Sequence, residues 1–298
     1  MKDTVNSSPS SLPLWGILSA CAVVFIWSGW VVSSRWGITG DFSPVDLTWL
    51  RFTSASLVLL PFSLRYPWRN VPWKKALVIA LGCGFPYVWL VYIALTITPS
   101  ANASVLINGF LPIVTSILAF IAFRTPVSRA VVGLFIAIFI ATGLMAYQPI
   151  HFSWQNLLGI LLLISATAIL ATYMLAVKTW SVSLRDIMAW VPLLNAVILL
   201  PLWLIYSDGL DAIRALPVKN LAFHIVYQGI IVSVLALFLF SYAIKQIGAF
   251  ATSLFMALVP SVTAILALVF CAEYPSPIQW AGIILCSTSL IVYSLANR

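Results

Sequence analysis

Arg51 is the basic residue that falls well inside an apolar run, about 9 Å from its nearer end at 1.5 Å per residue. A charge at membrane depth is costly and by default marks a function. A guanidinium there can bind a carboxylate, lock a gate, or anchor its helix through backbone carbonyls or Asp46 while reaching outward. The other notable groups suit holding a solute rather than transforming one. Tyr87, Trp89 and Tyr92 follow Gly82 and Pro86 in a single stretch, and Trp27, Trp30, Tyr173, Trp190, Tyr227 and Tyr242 lie in others. Each ring gives an apolar face with one polar handle, and each faces either a cavity or the lipid interface. Asn102, Asn108, Asn195 and Gln228 are uncharged polar groups within apolar runs. They orient an amino or carboxylate group, or join helices through bonds worth about 0.6 kcal/mol each. The expected substrate-binding set is Trp27, Tyr87, Trp89, Tyr92, Asn102, Asn108, Trp190, Tyr227, Gln228 and Tyr242. Lys245, at the end of an apolar run, is read as a charged gate or a plain anchor.

The same inventory argues against catalysis. The two histidines are distant, no acid lies deep in an apolar run, and no Gly-x-x-x-x-Gly-Lys phosphate loop occurs. No catalytic residue, metal site, cofactor or internal ATP drive is therefore expected, and no proton-relay carboxylate is visible. Cys21, Cys83, Cys271 and Cys286 lie in or beside apolar segments at spacings that fit neither zinc nor a disulfide framework.

The elements that position these residues follow from composition. Of 298 residues, 62% are hydrophobic and 7% charged, and mean hydropathy is +1.08. Soluble domains carry about 25% charged residues, so lipid must cover this chain. Breaks at charges, Pro and Gly give an all-α reading with ten segments near 14–35, 45–64, 75–95, 100–123, 129–147, 156–178, 186–206, 221–245, 248–271 and 277–295. With the N-terminus in the cytoplasm, eleven of the fifteen Lys and Arg fall inside, three outside, and Arg51 within a span. The positive-inside rule thus puts both ends in the cytoplasm. Residues 1–12 lack a signal-peptide pattern and are expected to be a cytoplasmic tail.

A repeat organises the spans. Ala101-x-Ala103-Ser104-x-Leu106 with Pro112 returns 148 residues later as Ala249-x-Ala251-Thr252-x-Leu254 with Pro260, and nine of nineteen positions from Ala101 to Ala119 are identical. Gly16-Ile17-Leu18 also matches Gly159-Ile160-Leu161, and Leu59-Leu60-Pro61 matches Leu199-Leu200-Pro201. The unit is five spans, an odd number, so the copies (13–147 and 156–298, joined by 148–155) enter the membrane from opposite sides. Inverted repeats with matching breaks point to alternating access around a midplane site. Pro112 and Pro260, with Pro86 and Gly82, are the expected hinge or gating residues.

Trp27-Ser28-Gly29-Trp30, Leu50-Arg51-Phe52, Ala94-Leu95 leading to Pro112, and Pro260 with Glu273, Pro275 and Gly282 together resemble the drug/metabolite transporter superfamily, specifically its ten-helix EamA-type carriers. Arg124-Thr125-Pro126 departs from that pattern, which usually has a glutamate there. The resemblance implies two inverted five-helix repeats around a central cavity and movement of small metabolites. It best fits amino acid export across a bacterial inner membrane, and the many aromatics suggest the aromatic amino acid exporter subgroup. The alternatives are a carrier of another metabolite, nucleotide-like cofactor or drug in either direction, and a non-transporting or lipid-translocating subunit. The expected partners are a small-molecule substrate and the bilayer, without nucleic acid, and the expected state is a monomer.

Overall fold

The computed structural model describes residues 14–124, 128–145, 154–271, 274 and 276–296. The expected tail, most of the 148–155 linker, Thr125, Pro126, Glu273 and Pro275 lie outside the described residues. Among the described residues the chain is helical and contains no strand. In order it forms α1 (Leu14–Thr39), α2 (Pro44–Val58, with a further turn Leu60–Leu64), α3 (Trp73–Ile97), α4 (Ser100–Phe123) and α5 (Arg129–Met145). It continues with α6 (Trp154–Thr179), α7 (Leu184–Tyr206), α8 (Val218–Ile247), α9 (Ala249–Met256 then Val259–Cys271) and α10 (Pro277–Ala296).

Among the described residues, seven helices are long and apolar enough to cross a bilayer: α1, α3, α4, α6, α7, α8 and α9. The remaining expected spans, α2, α5 and α10, are shorter, at 15, 17 and 20 residues. Pro61 has no N–H for the Leu57 carbonyl, and α2 breaks at Leu59 after 15 residues. Helix α5 is 17 residues long, Arg129–Met145.

Polar and apolar residues are distributed inside out relative to a soluble protein. Phe25, Leu64, Ile121, Phe139, Ile205, Phe270 and Ile284 are each at least 60% exposed, whereas Ser28, Ser34, Thr48, Asn108, Thr167, Asn195 and Gln228 are fully buried. Lipid solvates the first set; helix–helix bonds satisfy most of the second. One large core is shared by α1–α4 and α6–α9. A smaller one, centred on Leu134, Ile138, Ala257 and Cys286, joins α5 and α10 to the middle of α9.

Local sequence sets the helix starts and breaks. Ser43 caps α2 by accepting the Asp46 N–H at 3.2 Å, and Ser183 caps α7 by accepting the Asp186 N–H at 3.1 Å. Each repeat proline interrupts its helix within the turn before it. Pro112 gives no N–H to the Asn108 carbonyl, and α4 widens into a π-turn over Val105–Gly109 before resuming at Leu111. Pro260 gives none to the Met256 carbonyl, and α9 breaks at Ala257 and Leu258. Neighbouring helices stitch these breaks. The Thr167 hydroxyl reaches the Leu106 carbonyl at 3.0 Å, while also lying 2.8 Å from the Leu163 carbonyl of its own helix. The Cys286 thiol reaches the Ala257 carbonyl at 3.3 Å. Such repair is what lets a lipid-embedded helix carry a proline.

α2 and α7 run antiparallel. Asp46, at the start of α2, accepts from Trp203 Nε1 (2.9 Å) and Ser207 Oγ (2.5 Å) at the end of α7. At the opposite end, Tyr66 after α2 donates to Asp186 at the start of α7 (2.6 Å). α4 and α9 are antiparallel too, with Ser104 and Thr263 hydroxyls 3.1 Å apart.

Candidate functional site

Helix α3 breaks at Cys83–Gly84, and this break shapes the centre of the molecule. A Cβ on Gly84 would run into the Ala80 carbonyl and the Asn195 side chain, so no larger residue fits without rearrangement. Asn195, on α7, repairs the break: its amide nitrogen donates to the Ala80 carbonyl (2.8 Å) and its oxygen accepts the Phe85 N–H (2.7 Å). Pro86, without an N–H, starts the second half of the helix. Gly82 marks a close crossing, since a Cβ there would lie 2.9 Å from Cβ of Tyr173 on α6.

The break turns Cys83 and Tyr87 toward a central cavity. Its other walls are Trp27 and Trp30 from α1, Arg51 and Phe52 from α2, Val191 from α7, and Val232, Ser233 and Leu237 from α8. The free space is about 10 Å³, enough for about one water centre. Buried contacts surround it. From the lining residue Trp30, Nε1 donates to the Tyr92 hydroxyl (3.1 Å), which donates to Gln228 Oε1 (3.0 Å), whose nitrogen donates to Ser34 (3.0 Å). The lining residue Trp27 lies against Phe240 at 4.5 Å, Phe240 stacks on Tyr173, and the Tyr173 and Ser241 hydroxyls are 2.7 Å apart. The arrangement can enclose a small molecule only if helices move apart.

Of the sequence-selected residues, Trp27, Arg51 and Tyr87 line this cavity, and Tyr92 and Gln228 belong to the bonded chain that begins at its Trp30 wall. Tyr227 sits behind α1, its hydroxyl donating to the Ile26 carbonyl at 2.9 Å and packing over Gly29. Trp190 is buried beside the cavity-lining Val191 but is not itself part of the wall. Trp89 pairs with Phe85, and Tyr242 stacks on Phe238, which is 40% exposed; both lie outside the cavity. Asn102 and Asn108 lie on α4 away from the wall, Asn108 fully buried with both amide atoms unpartnered. Pro86, Gly82, Pro112 and Pro260 sit at or beside helix breaks, as described above.

The two charged candidates sit differently. Lys245 donates to the Val182 carbonyl at 2.9 Å and ties the start of the α8–α9 turn to the loop before α7, which is an anchor's geometry. Arg51 does not use Asp46 as an anchor, because that carboxylate is taken by Trp203, Ser207 and Ser43. Nor does Arg51 reach the surface: it is 5% exposed, and its Nε and Nη1 have no partner. Its guanidinium lies 5.0 Å from the Trp30 ring centre.

Sequence reasoning missed Phe52, Cys83, Ser233 and Phe240. Phe52 adjoins Arg51, and Cys83 stands between Gly82 and Gly84 where the helix gives way, so both were within reach of the motifs already noticed. Ser233 lies in a stretch, Ile225–Ala236, that is apolar on all sides and gives no period to read. Phe240 lies in the amphipathic stretch Leu237–Ile247, where Leu237, Phe240, Ile244 and Ile247 form a buried stripe at helical spacing that could have found it.

A model of the EamA-like transporter family matches the chain twice, over residues 14–147 and 157–295. No curated protein matches it. A solved crystal structure of another protein matches with a TM-score of 0.73 at 19% identity, covering 94% of this chain and 96% of that one, which is a likeness of fold.

Proposed function

The chain belongs to the EamA-like transporter family, a family of multi-pass membrane proteins that move small molecules, and from that premise we propose that it exports amino acids, aromatic ones among them, across a bacterial inner membrane. The observation that carries this reading is the central cavity. Its walls come from α1–α3 of the first family match and α7–α8 of the second, they combine aromatic faces with a few polar groups, and every lining residue is buried. A narrow chamber between two halves is where a carrier that alternates is expected to hold its solute.

On this reading the chain makes ten crossings with both ends in the cytoplasm. α2, α5 and α10 complete the count by tilting, pairing or local bilayer thinning. The antiparallel contacts of α2 with α7 and α4 with α9 support two inverted repeats. The breaks at Pro112 and Pro260 are the joints about which each half rocks, with the break at Gly82–Pro86 a third. Trp27 and Tyr87 contact the solute; Tyr92 and Gln228 gate it. The working unit is one chain, without cofactor or chemical step.

Counterflow in proteoliposomes tests the reading. Vesicles holding purified protein and loaded with unlabelled phenylalanine should transiently accumulate external labelled phenylalanine above protein-free controls. Absence of counterflow across all the amino acids would overturn amino acid transport.

A further inference from the structure

Among the described residues, the cavity lining holds a buried cation and no acid. Arg51 keeps its charge in any protein environment. An ionised group at this depth normally pairs with an opposite charge or with carbonyls. Here Nε and Nη1 have neither, and the acid nearest in sequence, Asp46, is occupied by donors from α7 and by Ser43. The π faces of Trp30 at 5.0 Å and Phe52 at 5.7 Å flank the guanidinium. The Tyr87 hydroxyl, on the same cavity wall, is also buried and unpartnered. The site therefore offers a full positive charge and a hydroxyl donor, with no carboxylate of its own to consume them.

We infer that Arg51 and Tyr87 form the anion-binding end of the substrate site and take the carboxylate of a solute whose apolar body lies against Trp27, Trp30 and Leu237. This rests on the carrier reading for its biological use, but the site itself is a binding claim. A guanidinium matches a carboxylate in charge and in its paired donors, and leaving it opposite a neutral amide would keep the charge unpaired. A cationic solute would be repelled outright. Among the described residues the cavity lining has no acid to receive an ammonium group; of its hydroxyls, Tyr87 is assigned to the carboxylate and Ser233 already donates to the Gln228 carbonyl at 2.7 Å. The carboxylate is thus required of a ligand and the amino group is dispensable. The substrate class is small monocarboxylates with an aromatic or branched apolar body, amino acids and their desamino analogues alike.

The test uses the purified full chain and three probes of nearly one shape: phenylalanine, phenylalaninamide and 3-phenylpropanoate. Phenylalanine and 3-phenylpropanoate should each raise the melting temperature with concentration, and phenylalaninamide should not. Arg51→Gln should weaken both acids by about tenfold or more, the loss expected for a charge-assisted bond. Tyr87→Phe keeps the ring and its packing, so it serves even where Arg51→Gln fails to fold. It should weaken both acids by roughly threefold to tenfold. Equal stabilisation by amide and acid, equal stabilisation by chloride alone, or unchanged affinity in Tyr87→Phe would overturn the assignment. Acid-selective stabilisation without counterflow would leave the anion site standing and sink the carrier reading. Counterflow that accepts the amide as readily as the acid would do the reverse.

Discussion

The two ends of the α4–α9 crossing are built from the same residues and are not in the same state. Under the 148-residue repeat, Ser104 corresponds to Thr252 and Thr115 to Thr263. The pair Ser104 and Thr263 at one end therefore has Thr252 and Thr115 as its image at the other. Ser104 and Thr263 are 3.1 Å apart and bonded across the helices. Thr252 instead donates to the Gly248 carbonyl of its own helix (2.7 Å), and the Thr115 hydroxyl is buried with no partner. The same bias appears between α2 and α7. Where these helices meet at the bonded end, Asp46 holds two side chains of α7; at the far end, Asp186 holds only Tyr66 from beyond α2. Internal symmetry of sequence thus coexists with asymmetry of bonding. On the proposed alternating-access reading, the opposite state would be obtained by exchanging which image pair is joined.

The hardest test of that contrast is a cross-link, in a chain whose four native cysteines are replaced and which still transports. Ser104→Cys with Thr263→Cys should oxidise readily, because the side chains already meet, and the bridge should lower transport at least about tenfold until it is reduced. Thr115→Cys with Thr252→Cys should bridge more slowly, and faster during turnover than at rest. Equal rates for both pairs, unaffected by substrate, would mean that the two ends are not alternatives. Next in size, Pro112→Ala and Pro260→Ala should each cut the transport rate several-fold while abundance in the membrane changes little, because a restored helical bond stiffens the joint. Transport and abundance falling together would assign the prolines to folding alone.

Smaller effects refine the comparison. Ser104→Ala removes a bonded hydroxyl and should cost about 0.6 kcal/mol, about a threefold shift between states. Thr115→Val removes an unpartnered one of similar shape and should be neutral or stabilising. A greater loss from Thr115→Val than from Ser104→Ala would refute the assignment of which end is joined. The smallest effect concerns Tyr66, which lies in a connection outside the spans. Burial, then the neighbouring Asp186, push its hydroxyl pKa from about 10 up to about 12. The raised value favours the neutral form, so its contribution is complete below about pH 10 and is lost as pH rises through about 12. Tyr66→Phe should therefore lower the melting temperature by roughly 2 °C at neutral pH. That gap should close at strongly alkaline pH, and a gap constant across the range would show that Asp186 does not depend on this donor.

The sequence made the repeat and its prolines plain because backbone chemistry is local: a missing N–H breaks a helix wherever it stands. The α3 break was legible from Gly82, Gly84 and Pro86 for the same reason. The side of a helix was legible only in part. Phe240 and Tyr242 are two residues apart and face different surroundings, one packed on Trp27 and the other stacked on Phe238 near the surface. The stretch Leu237–Ile247 carries a stripe that separates them, whereas Ile225–Ala236 just before it is apolar on all sides and hides Ser233. That Asp46 does not pair with Arg51 was hidden. Asp46 is five residues upstream, but donors brought by α7 from more than 150 residues away capture it, and no local rule reports that.

The narrowness of the cavity has a consequence for the cell's energy supply. A membrane that stores work as a proton gradient holds about 2.3 kcal/mol per charge for each 100 mV. Protons cross proteins along files of hydrogen-bonded waters, and a space that admits about one water is too small to hold such a file. Trp30 and Phe240, packed about that space, leave no continuous water file through the lining, so a carrier built this way should pass little proton current at rest; a proton leak through protein-loaded vesicles equal to that of an open pore would contradict this.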